Sequence, residues 1–341
     1  MQFPLATPPG PAESSRFHSV ITENFVAVDG DCVRGGYMLS RFGALVEGEP
    51  REIQNIQLPL SEGTVDRKYS MIGLSLVKDA IRRAPLLYAL GMGGLDMPFP
   101  KILKAMAFRL RAVPFWFRVL DAANFARDIQ LLRTTSSRRW LLDFFSHLPL
   151  VPRAVPVFHT LRTRGGLLQG VSLEVVPRFE AWADDLWSEC SAGYSLIAVR
   201  DAATLNWRLS PTDKRLHRIK ITRGGQLQGW VVVTDNKLEN HKQFGAMRLG
   251  AIVDALCMPG EEACTIAAAV RYLRERRADL IVTNQCAVTW NNALQQNGFL
   301  ASGSNFIFAA SPQLTDLVGG KDAGFERVQM NRCDGDGPIH L

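Results

Sequence analysis

Asp254 stands between Val253 and Ala255 in an otherwise apolar run. A carboxylate in such company needs a partner or a task, because an isolated charge is costly to bury. Arg67 and Lys68 sit side by side shortly before Gly73, where a helix is expected to begin, and such a pair either holds a phosphate or solvates a loop. Asn284, Asn291 and Asn292 follow a short apolar strand, a place where amides hydrogen-bond a ligand or cap the next helix. The run Gly91-Met92-Gly93-Gly94 either lets a ligand approach the backbone or makes a turn. Trp207 and Trp230 read as packing residues rather than ligand platforms. Other chemistries are poorly supplied. His147, His159, His217 and His241 are isolated, with no HxxxD or HExxH pattern, and the six cysteines show neither a CxxC pair nor a histidine at ligand spacing. Buried free thiols and no metal site are expected.

The elements that must position these residues come in two similar sets. Phe25-Val26-Ala27-Val28 runs into the turn Asp29-Gly30-Asp31 and returns as Gly35-Gly36-Tyr37-Met38-Leu39, and Arg218 to Ile221 does the same through Gly224-Gly225 into Gly229 to Val233. A further strand follows each hairpin, Ile53 to Leu60 and Met247 to Leu256, then an apolar-periodic helix beginning near Ile72 and near Thr265. Short strands at Leu86 to Leu90 and Leu280 to Thr283 come next, and second helices end in Ala107-Phe108 and Gly298-Phe299, an offset of about 190 residues. Aromatic strands at Phe115 to Val119 and Phe306 to Ala309 are expected to close each unit. The order is β-β-β-α-β-α-β, twice. Ahead of the second set lie a strand, Leu173 to Phe179, and helices at Glu180 to Cys190 and Asp201 to Arg208.

A length of 341 residues suits two domains. The expected division is a Pro-rich tail (1–17), an N-terminal unit (18–125), a helical connector (126–156), a C-terminal unit (157–316) and a tail (317–341). In the connector, Arg138, Arg139, Trp140, Leu141, Phe144 and Phe145 would share one helix, over 137–148, that packs between the domains or touches a membrane surface peripherally. Lys plus Arg number 39 against 33 Asp plus Glu, a net charge of +6 that favours an anionic partner such as a nucleotide, a phosphosugar or a lipid headgroup, yet no run of five basic residues supports a nucleic-acid partner. The start of the chain lacks the pattern of a secretory signal and no long apolar window spans a membrane, so a cytoplasmic location is expected.

The segments Asp29 to Tyr37 and Gly224 to Trp230 resemble the second and third strands of the GNAT N-acetyltransferase superfamily. Arg200-Asp201 through Asn206-Trp207-Arg208 resembles a segment that precedes those strands in bacterial tandem members, and Asn297-Gly298-Phe299 is similar to the motif that ends the last helix. The resemblance covers most of residues 18–316. It implies an α/β fold (an α+β mixed sheet) of two GNAT-like domains in tandem, the first truncated at its N-terminus.

The resemblance also implies a site. In the family a glycine-rich loop, QxxGxG or QxxGxA, cradles the pyrophosphate of acetyl-CoA or another acyl-CoA at a helix start. The matching stretch in the first copy is Arg67-Lys68-Tyr69-Ser70-Met71-Ile72-Gly73, which keeps cations and the final glycine, so Arg67, Lys68 and Gly73 are its cofactor-binding candidates. In the second copy Glu261 and Glu262 occupy the place of the anion. The tyrosine that protonates the thiolate in the family is replaced by Leu103 and Leu294. A strand carboxylate commonly serves as base, which nominates Glu52, Glu62 and Asp254. The acceptor would be a small amine (an amino sugar, an envelope precursor or an amino acid) in the cleft between copies, with Asn284 and Asn291 as substrate ligands. The alternatives are a non-catalytic binding module and an aminoacyl-tRNA-dependent ligase acting on a peptidoglycan precursor.

Overall fold

Two seven-strand paths and two added short strands carry the chain in the computed structural model, which describes residues 2–4, 20–128, 166–239, 241, 244–320 and 322–335. The expected connector helix over 137–148 lies outside the described residues, as does most of the Pro-rich tail. Among the described residues no helix is long and apolar enough to cross a membrane.

The first half supplies β1 (Gln2–Pro4), β2 (Ile21–Asp29), β3 (Cys32–Val46), β4 (Glu49–Ser61), α1 (Ile72–Arg83), β5 (Leu87–Gly91), α2 (Pro98–Ala105), β6 (Arg109–Ala112), β7 (Phe115–Val119) and α3 (Ala122–Asp128). The β3–β4 turn has Glu47 and Gly48 both at positive φ, the two-residue geometry whose twist matches its flanking strands. Helix α1 turns Leu76, Val77 and Ala80 into the core, and each large apolar side chain so buried contributes about 1.5–3 kcal/mol. It stops at Ala84, which Pro85 forces out of the helical region (φ −138°, ψ 84°).

The second half supplies β8 (Val171–Val176), α4 (Ala181–Cys190), β9 (Leu196–Ala198), α5 (Ala202–Arg208), β10 (Leu216–Arg223), β11 (Gln226–Lys237), β12 (Arg248–Cys257), α6 (Glu262–Glu275), β13 (Leu280–Asn284), α7 (Val288–Gln296), β14 (Leu300–Ser302) and β15 (Ile307–Ala310). Then come α8 (Pro312–Leu317), α9 (Asp322–Glu326), β16 (Val328–Gln329) and a 3-10 turn over Arg332–Asp334. Residues 322–335 are therefore built into the fold, within the stretch 317–341 that reads as a tail.

The two sheets are not closed by their own last strands. One runs β1-β2-β3-β4-β5-β15-β6 and the other β14-β7-β13-β12-β11-β10-β8. Strand β15, from the second half, inserts antiparallel between β5 and β6 of the first, with Ala309 facing Ala89 and Leu110. Strand β7, from the first half, inserts between β13 and β14 of the second, with Phe117 facing Val282 and Leu300. The expectation that each aromatic strand closes its own unit is corrected: each closes the other. Local sequence cannot tell these outcomes apart, because both strands are short, apolar and equally suited to either gap.

The first sheet is covered on both faces. Helices α1 and α2 pack on Leu39, Ile56 and Leu87. The opposite face, with Phe42, Ile53 and Tyr88, is covered by second-half residues that include Leu196, Leu314, Phe325 and Met330. Strand β9 adds to the far end of β3 (Ala44–Val46), beyond the reach of β2, and β16 pairs with β9 in parallel.

Candidate functional site

In each sheet the two parallel inner strands pair only briefly and then separate. Strands β4 and β5 share two rungs, Gln54 to Leu87 and Asn55 to Tyr88, after which β4 runs on to Ser61 and β5 to Gly91. Just beyond the last rung β4 gains a residue against β3, between Gln57 and Leu60, and Leu58 takes a positive φ of 45° to accommodate it. A bulge of this kind leaves a residue unpaired from the ladder and bends the strand. In the second sheet β12 and β13 share Leu249 to Ala251 with Leu280 to Val282, and the bulge on β12 falls just before Asp254.

The two openings differ in the helix start each leads to and in the side chains that fill them. From β4 the chain passes through 3-10 turns at Glu62–Thr64 and Arg67–Tyr69 into α1, whose first turn carries no acid and no side-chain cap. Arg67 and Lys68 are exposed there, and the Lys68 ammonium lies 5.1 Å from the centre of the Tyr69 ring. Gly73 is in the first turn, where a Cβ would meet Ile102 Cδ1 at 3.2 Å, so it keeps α1 close against α2. In the second copy α6 opens with Glu262, after Glu261, which binds Arg223 at 2.9 Å. The separation of β12 and β13 is bridged by side chains: Thr283 Oγ1 donates to the Ile252 carbonyl (2.9 Å), and Gln285 Nε2 to Thr283 Oγ1 (3.2 Å).

Asp254 has found its partner. Arg200, fully buried, donates from Nε to both Asp254 oxygens (3.1 and 3.0 Å) and from Nη2 to Asp334 Oδ2 (2.8 Å). Asn331 Nδ2 adds 2.6 Å and the Ala255 amide 2.9 Å to Asp254, while Arg208 Nη1 reaches Asp334 Oδ1 at 3.0 Å. The Tyr88 hydroxyl donates to the Asp334 carbonyl, which ties the first sheet to the cluster. Burial pushes the Asp254 carboxyl up despite Arg200; for Asp334 burial acts the same way, but Arg200 and Arg208 together hold it below the usual range. Two guanidiniums and two carboxylates balance, and neither carboxylate keeps an unoccupied face toward solvent.

Beside this cluster a cleft of ≈ 260 Å³ opens between the halves, on the face of the first sheet opposite α1. Thr22, Ser40, Asn55 and Gln57 form its strand wall; Trp207 and Arg208 of α5, with Cys333 to Gly335, form the other. Asn55 is thus both the last rung before the strands separate and part of the cleft wall.

The sequence-predicted residues fall in different places. Glu52 lies on β4 within a surface ladder, Arg41 Nε at 3.4 Å, with Glu23 on the other side of Arg41. Glu62 is held by Arg34 Nη1 at 3.1 and 3.0 Å. Asn284 donates to the Pro114 carbonyl and accepts from Arg332 Nε at 3.0 Å; Asn291 accepts from Trp116 Nε1 at 2.7 Å. Both amides hold the β7 region, which came from the other half. Trp230 is buried as expected, whereas Trp207 is 53% exposed in the cleft mouth, so the packing role read for it from sequence is corrected. Sequence reasoning missed Arg200, Arg208, Asn331, Asp334 and Asn55. The segment from Arg200 to Arg208 was the available signal.

Each sheet carries a strand supplied by the other half between its fifth and sixth, a bulged fourth strand, and parallel inner strands that separate above it, an arrangement of the GNAT fold. The described chain holds it twice and is a tandem GNAT-fold protein. Among solved structures, the GCN5-related N-acetyltransferase from Anabaena variabilis ATCC 29413 is 11% identical with a TM-score of 0.50, the match covering 84% of this chain and 62% of that one. N-myristoyltransferase from Saccharomyces cerevisiae, solved with bound myristoyl-CoA, is 10% identical at a TM-score of 0.48, covering 85% and 65%. A tandem GNAT protein from the clavulanic acid biosynthesis pathway is 16% identical at 0.44, covering 85% and 82%. At these identities the likeness is one of fold alone, and this chain spans less than two thirds of the first two. No protein-family model and no curated protein matches the sequence.

Proposed function

We propose that this protein is an acyl-CoA-dependent N-acyltransferase acting on a small amine, with the thioester held by the first copy and the second copy serving as scaffold and acceptor wall. The observation that carries this reading is the asymmetry of the two openings. The first leads to an acid-free helix start with Arg67 and Lys68 beside it, and the second is bridged by Thr283 and opens onto Glu262. A pyrophosphate is favoured by the first environment and repelled by the second.

Chemistry would take place at the point where β4 and β5 part. The neutral amine attacks the thioester carbonyl, backbone N–H groups at the Leu58 bulge polarise the carbonyl oxygen, the C–S bond breaks, and water protonates the thiolate and takes the amine proton. Leu103 and Leu294, both fully buried, offer no acid for that step. None of the three nominated carboxylates suits the base. Glu62 lies beyond the end of β4, in the 3-10 turn that follows it, and is held by Arg34. Glu52 is paired with Arg41, and Asp254 is enclosed. We assign Asp254 to holding the two halves in register.

Incubation with acetyl-CoA or a longer acyl-CoA and a panel of small amines should release free thiol. Changing Arg67 and Lys68 together to Ala should raise the KM for the acyl-CoA by about tenfold or more with kcat little altered, the signature of lost ground-state binding. Absence of amine-dependent thiol release across the panel would overturn the reading.

A further inference from the structure

We infer that the cleft between the halves takes a hydroxylated ring that carries the amine and no anionic group, a sugar-like acceptor stacked on Trp207 with its amine hydrogen-bonded to Asn55. This rests on the acyltransfer reading for the amine and on the cleft itself for the ring.

The first argument is an unmet hydrogen bond. Asn55 is 1% exposed, lines the cleft, and its Oδ1 has no hydrogen-bond partner among the described residues. Of the described buried side-chain atoms left without a partner, Asn55 Oδ1 is the one whose residue lines this cleft, and an acceptor there suits an incoming donor. It lies at the last rung before β4 and β5 part, which is where an amine must arrive to meet a thioester.

The second argument is the character of the lining. Thr22, Ser40 and Gln57 form a chain of neutral groups: Thr22 Oγ1 and Ser40 Oγ are 3.1 Å apart, Ser40 Oγ donates to Gln57 Oε1 at 3.3 Å, and Gln57 Nε2 donates to the Gly335 carbonyl at 3.0 Å. The charges present cancel and are engaged, Arg208 donating to Asp334 and to the Cys333 carbonyl, and Asp334 also bound by Arg200. A phosphate or carboxylate on the acceptor would find no uncommitted cation among the described residues that line the cleft. Neutral hydroxyl and amide groups beside an exposed indole, with no net charge, are complementary to a hydroxylated ring. The volume of ≈ 260 Å³ lies below the ~300–1,000 Å³ of pockets for larger ligands, which fits one ring rather than a chain.

The test is calorimetric titration of the whole protein, without acyl-CoA, by glucosamine, glucosamine 6-phosphate and lysine. Glucosamine should bind at least about tenfold more tightly than the other two, and Trp207→Ala and Asn55→Ala should each weaken it by about tenfold or more. Trp207 is exposed, so its replacement tests the cleft even where loss of Asn55 unfolds the sheet. Failure of glucosamine to bind, binding unchanged in Trp207→Ala, or equal binding of the phosphate or of lysine would overturn the assignment. Because no thioester is present, sugar binding without any thiol release would sink acyltransfer and leave the cleft assignment standing, and thiol release without sugar binding would do the reverse.

Discussion

Arg200→Met should destabilise the protein by about 3–5 kcal/mol, read as a lowered denaturant midpoint. The replacement fills similar volume but leaves Asp254 and Asp334, 2% exposed each, facing one another without the guanidinium that bridges them. Breaking one partner of a buried ionic cluster is far more damaging than never having built it, since the remaining charges keep their burial and lose their compensation. Arg208 still holds Asp334, so the orphaned group is chiefly Asp254. Asp254→Asn combined with Arg200→Met should recover part of the loss. The cluster also sets an acid limit. Asp334 has a folded pKa below its unfolded value of about 3.9, so it stabilises the fold above that pH and the contribution is lost as pH falls through the folded value. Asp334→Asn should flatten that acid limb. A stability for Arg200→Met within about 1 kcal/mol of the parent would show that the cluster does not hold the halves together.

The exchange of strands predicts a second large effect. Residues 1–165 and 166–341, produced separately, should each fail to fold. The first piece lacks β15 from the interior of its sheet, leaving facing edges on β5 and β6, and the second lacks β7 between β13 and β14. Open interior edges with apolar faces invite aggregation. Phe308 and Trp116 are largely buried and leave with their strands, and losing even one such aromatic costs about 3–5 kcal/mol. Co-expression of the two pieces should restore a one-to-one complex with native far-ultraviolet dichroism. A cooperative unfolding transition from either piece alone would contradict the account.

Much of the framework is legible in the sequence because its signals are local. The turns at Gly30 and at Gly224-Gly225 occur where glycine permits positive φ, and the expected helix starts near Ile72 and Thr265 fall at or within three residues of α1 and α6. The short strands β6, β9 and β14 leave too little periodicity to read. The exchange is invisible because the pairing of β15 with β5 is a contest between two sheets, decided by chain path rather than by composition. The site was harder still. Arg200 meets Asp254 across 54 residues and Asp334 across 134, and Asp334 lies in a Gly- and Asp-rich stretch that reads as a tail. Asp254 could be seen to need a partner, though not which. Asn55, between Gln54 and Ile56, looks like any polar residue on a half-exposed strand, and only the fold shows it to be buried at the parting of two strands.

The central claim is that the first copy binds the CoA thioester and the second does not, and it is tested most directly by calorimetric titration of the whole chain with acetyl-CoA and a long-chain acyl-CoA. The account predicts one binding site per chain, weakened by about tenfold or more when Arg67 and Lys68 are changed together to Ala and unchanged when Arg223 beside Glu261 is changed to Ala. No binding of any CoA thioester, or binding indifferent to Arg67 and Lys68, would contradict it.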